Sequence, residues 1–390
     1  MKKYILPLAA LGTLAYADMS VQEFVYKDPR IMGAGGANTA IGGYSTAVFY
    51  NPAGLINIKK SHGVEIELLG LSVTGSKKIQ DFIEDVDSSE EDDIVDTIKK
   101  YSGKTFNANV SNYTSASYHG DTTYAFSMGI LGSADINMIP HANDGINGLL
   151  EVHGRAYGGL VLGIAKQFET PYGELVVGVS GKYISQKSYD AALTEPEIVL
   201  HKDDLETYLQ DNYEKTNSGV GVDVGVLYRL PIAKEWQPTI GLSVLNAGSL
   251  NYGDVYGSVP MTVNAGISVT KEVPYLNRII VGVDYVDILG AKQALVRHVN
   301  PTDYYDQYKT IDANEDFTNN IRAGLTIDMF DNMWVMGSLS AGWYQEAYTA
   351  GIDLQLTILK IQAATYRENV GTADNIIEDR RYVVGLGIGW

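Results

Sequence analysis

Along most of this chain, apolar residues recur at every second position. The C-terminal run is the plainest case. Tyr382, Val384, Leu386, Ile388 and Trp390 are large and apolar, and Val383, Gly385, Gly387 and Gly389 between them are small. A strand turns successive side chains to opposite faces. The pattern therefore predicts a ribbon with one face greasy enough for lipid and the other nearly bare. Within residues 122–138, Tyr124, Phe126, Met128 and Ile130 share one face, opposite Ala125, Ser127 and Gly129. In 217–230, Val220, Val222, Val224, Val226 and Tyr228 lie opposite Gly219, Gly221, Asp223 and Gly225. In 277–289, Ile279, Val281, Val283 and Tyr285 lie opposite Gly282 and Asp284.

Read this way, strands are predicted at 63–77, 105–119, 122–138, 149–168, 174–191, 217–230, 236–252, 261–272, 277–289, 319–330, 332–345, 347–357, 358–370 and 380–390. That is about fourteen, an even number, as in bacterial outer-membrane barrels. Connections after odd strands are mostly long: 78–104, 139–148, 192–216, 253–260, 290–318 and 371–379. Those after even strands are short turns near 120–121, 170–173, 231–235, 273–276, 331–332 and 357–358. The short connection near 346 is the exception. Long outer loops alternating with short inner turns belong to outer-membrane barrels; a soluble all-β protein has no cause for them. The expected fold is all-β, a transmembrane antiparallel β-barrel of about 14 strands. Its terminal Trp390, with Tyr382 on the same face, resembles the signal read by the outer-membrane assembly machinery. That machinery and outer-membrane lipid are expected partners.

Composition sharpens this reading. Tyrosine supplies 27 aromatics against 8 Phe and 4 Trp, and Tyr suits the membrane–water boundary. The net charge of −18 excludes nucleic acid as a partner. With no cysteine, an exported chain must be held by packing and hydrogen bonding, which a closed barrel provides. Residues 1–17 read as a secretory signal: Lys2 and Lys3, an apolar stretch over 5–14, then Ala15-Tyr16-Ala17. That stretch is too short for a membrane helix. The expected division is a signal peptide at 1–17, a plug at 18–62 and a barrel at 63–390, in the outer membrane of a Gram-negative bacterium.

Residues 18–62 do not alternate. They contain Asp28-Pro29-Arg30, then Gly33-Ala34-Gly35-Gly36-Ala37, then Phe49-Tyr50-Asn51-Pro52-Ala53-Gly54-Leu55. The glycines lack the G-x-G-x-x-G spacing of a phosphate cradle. Proline fixes φ, and Asn51 can hydrogen-bond nearby backbone, so Asn51, Pro52 and Ala53 are expected to set a rigid turn. The inward barrel face is rich in small residues, including Gly163, Ala165, Gly178, Ser180, Gly241, Ser243 and Gly324. These give either room for a plug or ligand, or bends and shear in the wall.

The segment 28–55 resembles the N-terminal hatch of the FadL/TodX family of outer-membrane transporters for hydrophobic compounds. That resemblance implies a fourteen-strand barrel, passive uptake of long-chain fatty acids or hydrocarbons, and a hatch that shifts when ligand binds. It makes Asn51, Pro52 and Ala53 the hatch motif and Gly33, Gly35 and Gly36 the glycine-rich plug segment. The opening also resembles a sister group, the TraF-like and PorV-like barrels of conjugal transfer and protein secretion. The stretches 366–371 (Tyr-Arg-Glu-Asn-Val-Gly) and 379–382 (Asp-Arg-Arg-Tyr) look more like that group.

Residues 77–100 are the most charged part of the chain. Ile79, Phe82, Ile83 and Val86 are spaced as one helix face, and Ile94, Val95 and Ile98 as another. Ser88 and Glu91 suit a capping box. Either the helices cap the outer mouth or they form a solvated outer loop with one weakly buried face; the acidic order is not that of an EF-hand. The histidines at 62, 119, 141, 153, 201 and 298 are scattered, so no metal and no cofactor is expected. Ser117 and His119 share a strand face, a pairing that alternation produces by chance; no enzyme is expected. Arg155, Lys166, Lys182, Arg229 and Arg322 fall in strands, where a lumenal Arg could receive a fatty carboxylate but more often would pair with a lumenal acid such as Asp223 or Asp284 or reach for the interface. The leading function is passive uptake of a hydrophobic small molecule, captured by outer loops, bound in the lumen and gated by the hatch; the alternative is a barrel scaffold for conjugal transfer or protein secretion. A transporter requires a continuous apolar cavity and a kink in the wall. A scaffold requires a filled lumen and an apolar patch among the outer loops.

Overall fold

The computed structural model describes residues 19–20, 25–58, 63–89, 93–120, 122–145, 148–253, 258–299, 306–313, 317–332, 334–372 and 375–390. The signal-peptide reading, His62 and Glu91 of the capping box lie outside these residues. After β1 (Met19–Ser20), nine barrel strands follow: β2 (Val64–Ser76), β3 (Phe106–Tyr118), β4 (Tyr124–Gly145), β5 (Gly148–Thr170), β6 (Gly173–Leu193), β7 (Lys215–Arg229), β8 (Thr239–Leu245), β9 (Thr262–Glu272) and β10 (Arg278–Tyr285). The hairpin β11 (Gln293–Val299) and β12 (Asp306–Asp312) pairs with β1 outside the ring. β13 (Ile321–Asp331), β14 (Val335–Tyr344), β15 (Ala347–Leu356), β16 (Leu359–Thr372) and β17 (Asn375–Gly389) complete it. The ring is a closed barrel of 14 antiparallel strands, matching the predicted runs one for one. It closes where β17 meets β2: Ile66 and Trp390 exchange backbone hydrogen bonds of 2.8 and 2.9 Å.

The two faces divide as the alternation requires. Tyr382, Val384, Leu386, Ile388 and Trp390 are exposed, while the residues between them are buried. Val220, Val222 and Val224 are exposed, with Gly221, Asp223 and Gly225 buried. Among the described residues no helix is long and apolar enough to cross a membrane. Strands carry the apolar exterior instead. Trp236, Tyr275, Trp334 and Trp390 mark the short-turn end, and Tyr183, Trp343, Tyr348 and Tyr382 the other. Those are the two girdles of a membrane barrel.

Several elements differ from the sequence reading. Strands β16 and β17 run to Thr372 and from Asn375, into the predicted long connection at 371–379. Strand β8 stops early because Asn246 turns the chain at φ 52°. Strands β4 and β5 run on through the predicted loop at 139–148, to 22 and 23 residues. A strand needs only about 9–11 residues to span a bilayer, so this part of the wall stands clear of the membrane. The long connections at 78–104 and 192–216 are partly helical, and what their helices cover was not legible. Helices α2 (Ile79–Ser88), α3 (Ile94–Lys100), α4 (Glu195–Leu200) and α5 (Leu205–Tyr213) follow a plug helix α1 (Pro29–Gly33). The helices α2–α5 bury Phe82, Ile94, Ile98, Ile198 and Leu209 against Phe106, Leu150, Val152 and Leu193 of the tall wall. In parity, those wall residues continue the lipid-facing rows of β3, β5 and β6. The helices thus lie against the outside of the extended wall and do not cap the mouth; they are nearer the solvated outer loop with one buried face, that face being the one packed on the wall. Phe82 stacks on Phe106 with ring centroids 4.5 Å apart, and Tyr101 packs edge-on to both.

Candidate functional site

Residues 25–58 occupy the lumen. Two cap-and-proline turns give this segment its shape. Asp28 caps α1: its side chain accepts from the Arg30 N–H at 2.9 Å, and Pro29 takes the first helical position, where its missing N–H costs nothing. Gly35 and Gly36, at φ 71° and 74°, end that helix, and the Gly36 N–H donates to the Ile31 carbonyl at 2.8 Å. Glycine takes this left-handed conformation without strain. The glycine-rich segment is therefore a helix stop. Asn51 likewise caps the 3-10 turn Pro52–Asn57, accepting from the Ala53 N–H at 3.0 Å.

The wall fastens the plug at backbone level. The Asp284 carboxylate accepts from the Asn38 and Thr39 N–H groups, both at 2.7 Å. Ser180, Ser268 and Thr349 donate hydroxyls to the carbonyls of Val48, Ala40 and Gly33 at 3.0, 2.9 and 2.8 Å. The Asn51 amide donates to Thr39 O at 2.6 Å and to the wall carbonyls of Val226 and Leu242 at 3.3 Å. Wall glycines permit this closeness. A Cβ on Gly225 would stand 1.8 Å from the Asn51 side-chain oxygen, and one on Gly178 would stand 2.2 Å from Ala53 N. On Gly241 and Gly324 it would stand 2.2 and 2.0 Å from the carbonyls of Thr39 and Ala34. Of the two readings offered for the small inward residues, room for the plug is the one these distances support. Tyr26, Phe49 and Tyr113 pack their rings within 5.0–5.7 Å at the apolar centre of the contact.

Beyond the plug, buried charge crosses the lumen. Lys27 pairs with Glu368 at 2.6 Å, and Arg381 with Asp379 at 2.7 Å. Arg381 also reaches Asn137 at 3.3 Å, across two intervening strands. Arg155 and His153 both bond Asp190 at 2.7 Å, and Lys182 pairs with Asp223 at 2.9 Å. Such groups stay buried only because each charge meets its opposite. Arg229 pairs with Glu174 at 2.6 Å. Arg322 lies 4.1 Å from the Tyr344 ring centre. Lys166 faces out. Ser117 donates to Ser127 at 2.8 Å, while His119 bonds the Ile58 carbonyl at 2.7 Å, so the structure does not bring that pair together. Among the described residues no group of three or more His, Asp or Glu stands at metal-holding spacing.

Two features bear on passage through the wall. A cavity of about 330 Å³ opens at the short-turn end, between the plug at Arg30 and Tyr44 and the wall at Arg278, Asp328, Asp353 and Lys360. Beside the plug, the β2–β3 register slips between Glu67 and Leu71. There, side chains replace the ladder: the Gly70 N–H donates to Asn112 Oδ1 at 3.1 Å, and the Thr114 hydroxyl to Leu68 O at 3.0 Å. Sequence reading missed this bulge; it expected lumenal ion pairs, of which Lys182–Asp223 is one, but not most of the partners. A bulge leaves no period, and a lumenal ion pair joins residues far apart in the chain.

A family model described as "F plasmid transfer operon, TraF, protein" matches residues 48–264, more than half of the chain. The chain belongs to this TraF family. The TraF-family barrel also has solved structural relatives. The toluene transporter TbuX of Ralstonia pickettii aligns at 14% identity and TM-score 0.53, over 93% of this chain and 98% of TbuX. A deltaS2S3 mutant of the TodX monoaromatic hydrocarbon channel aligns at 12% identity and TM-score 0.54, over 93% and 98%. The CymD monoaromatic hydrocarbon channel aligns at 13% identity and TM-score 0.50, over 93% and 96%. At these identities the likeness establishes the fold, a plugged fourteen-strand barrel. A search of curated proteins returned no match.

Proposed function

We propose that this TraF-family barrel is a plugged outer-membrane scaffold whose outer face binds a protein partner of a cell-envelope apparatus. One observation carries this reading: the lumen holds a pinned plug and, beyond it, a buried network of ion pairs. An apolar solute entering from outside would have to separate or desolvate those pairs, and breaking one costs about 3–5 kcal/mol. The helical layer on the tall wall supplies an outer surface, with Leu200 77% and Ile83 43% exposed. The family description points to conjugal transfer as the setting. With its net charge of −18, the chain would act there on protein and not on the DNA itself.

Hydrophobic uptake is the second reading, favoured by the β2 bulge beside the plug and by the fold shared with TbuX, TodX and CymD. In that reading Asn51, Pro52 and Ala53 form the hatch, and apolar ligand surface leaves water at about 25 cal/mol per Å². Native purification followed by mass spectrometry of co-purifying lipids and proteins separates the two. The scaffold reading expects a stoichiometric protein partner and no apolar molecule bound in the plug-filled lumen. A bound fatty acid or hydrocarbon without a protein partner would replace it with uptake.

A further inference from the structure

The lipid-facing wall carries a concavity that neither reading uses. It spans β2–β6, encloses about 630 Å³, and is flanked by Tyr118, Phe126, Met128, Leu162, Ile164 and Val179. Its floor is low because Ala116 and Gly181 are small; a Cβ on Gly181 would meet nothing within 4 Å. The exposure of Met128 (60%) and Leu162 (58%) shows that these side chains border open space on the membrane side.

A cation stands at one end. In the β4–β5 register Met128 faces Leu162, Phe126 faces Ile164, and Tyr124 faces Lys166 on the next lipid-facing rung. Lys166 therefore lies one rung beyond the groove, toward the short turn at Thr170 and Gly173. Its ammonium is 4.7 Å from the Tyr124 ring centre and 5.0 Å from that of Phe168. No carboxylate pairs with it among the described residues. The short-turn end is the periplasmic end when the long connections face outward. Interfacial aromatics mark headgroup depth, and a lysine there faces the phosphates of the leaflet.

We infer that this groove seats one phospholipid of the periplasmic leaflet. An acyl chain lies over Ala116 and Gly181 between the flanking side chains, and the headgroup phosphate pairs with Lys166. The apolar groove selects for a chain, and the cation selects for a phosphate.

The test uses the full-length protein purified in detergent. Native mass spectrometry follows titration with phosphatidylglycerol and, separately, with a diacylglycerol of the same chains. The wild type should retain one phosphatidylglycerol in preference to diacylglycerol. Lys166→Gln should weaken phosphatidylglycerol about fivefold and abolish the preference, one lysine–headgroup contact being worth about that much. Gly181→Leu should fill the groove and displace both lipids. Gly158→Leu, which also meets open space but lies higher on the lipid-facing row of β5, should change neither. A heat-modifiable gel shift checks that each variant is folded. Equal retention of the two lipids by the wild type would overturn the inference, as would wild-type retention by both groove variants. Competition by inorganic phosphate with no effect of Gly181→Leu would leave an anion site only, and would overturn it too.

Discussion

Gly178 and Gly225 have no side chain, and the plug uses that space. Their missing Cβ atoms would stand 2.2 Å from Ala53 N and 1.8 Å from the Asn51 amide oxygen. Backbone on one side of Gly178 and wall on the other leave little room to yield. Gly178→Val should therefore destabilise the seated plug by about 1–3 kcal/mol, the usual cost of overpacking. Limited proteolysis at residues 25–58 reads it, with Gly132→Val, which meets open space, as the neutral control. Equal cleavage in the two variants would show that the plug is not held there. Asn51 acts by hydrogen bonding. Asn51→Ala removes the cap on Ala53 and leaves the Thr39 carbonyl without this donor, a cost of about 1–3 kcal/mol. Ion conductance across a planar bilayer should rise, because the plug then opens more often. Unchanged conductance would make Asn51 a turn residue and nothing more.

At the scale of elements, the helical layer is separate from the plugged core. Phe82 is 2% exposed and packs against Tyr101 and Phe106. Phe82→Ala should cost the layer about 3–5 kcal/mol and expose α2 and α3 to protease. The barrel's heat-modifiable shift should survive; its loss would mean that wall and layer fold as one unit. Asp85 ties the two helices together. It accepts from Lys100 at 2.8 Å and from the Tyr101 hydroxyl at 2.6 Å. Those bonds hold its carboxyl below the ordinary carboxylate value of 3.8. A depressed pKa contributes stability above the ordinary value and loses it as pH falls through the lowered one. Asp85→Asn should thus speed cleavage of the layer at pH 5, and the difference from wild type should fade in acid below pH 3.8. A difference independent of pH would assign the effect to packing.

The whole molecule depends on one seam, where β17 meets β2 and Trp390 bonds Ile66 in both directions. Deleting Trp390 removes those two bonds together with the terminal aromatic that resembles the assembly signal. The expected result is less heat-modifiable barrel in the outer-membrane fraction and more unfolded chain in the periplasm. Normal levels of folded barrel would rule out Trp390 as a required signal. Closure also explains the lumen. Asn137 and Arg381 meet only because the ring brings distant strands together, and Lys27 of the plug meets Glu368 only because the ring encloses the plug.

How much was legible follows from what is local. Each strand's two environments, lipid and lumen, are imposed residue by residue, so a period of two reveals strand count, facing and even the Gly-lined interior. Asp28-Pro29 and Asn51-Pro52 announce their turns because a cap and a proline act within one turn of chain. By itself the sequence thus determined a fourteen-strand barrel with a compact, turn-rich segment before it. Only the tertiary structure decided that the wall glycines receive the plug's backbone, that the connections at 78–104 and 192–216 pack outside an extended wall, and which residues pair as ions across the lumen. Those facts rest on contacts between residues up to hundreds of positions apart, and no local period encodes which partner a buried charge or a bare glycine will meet once the ring has closed.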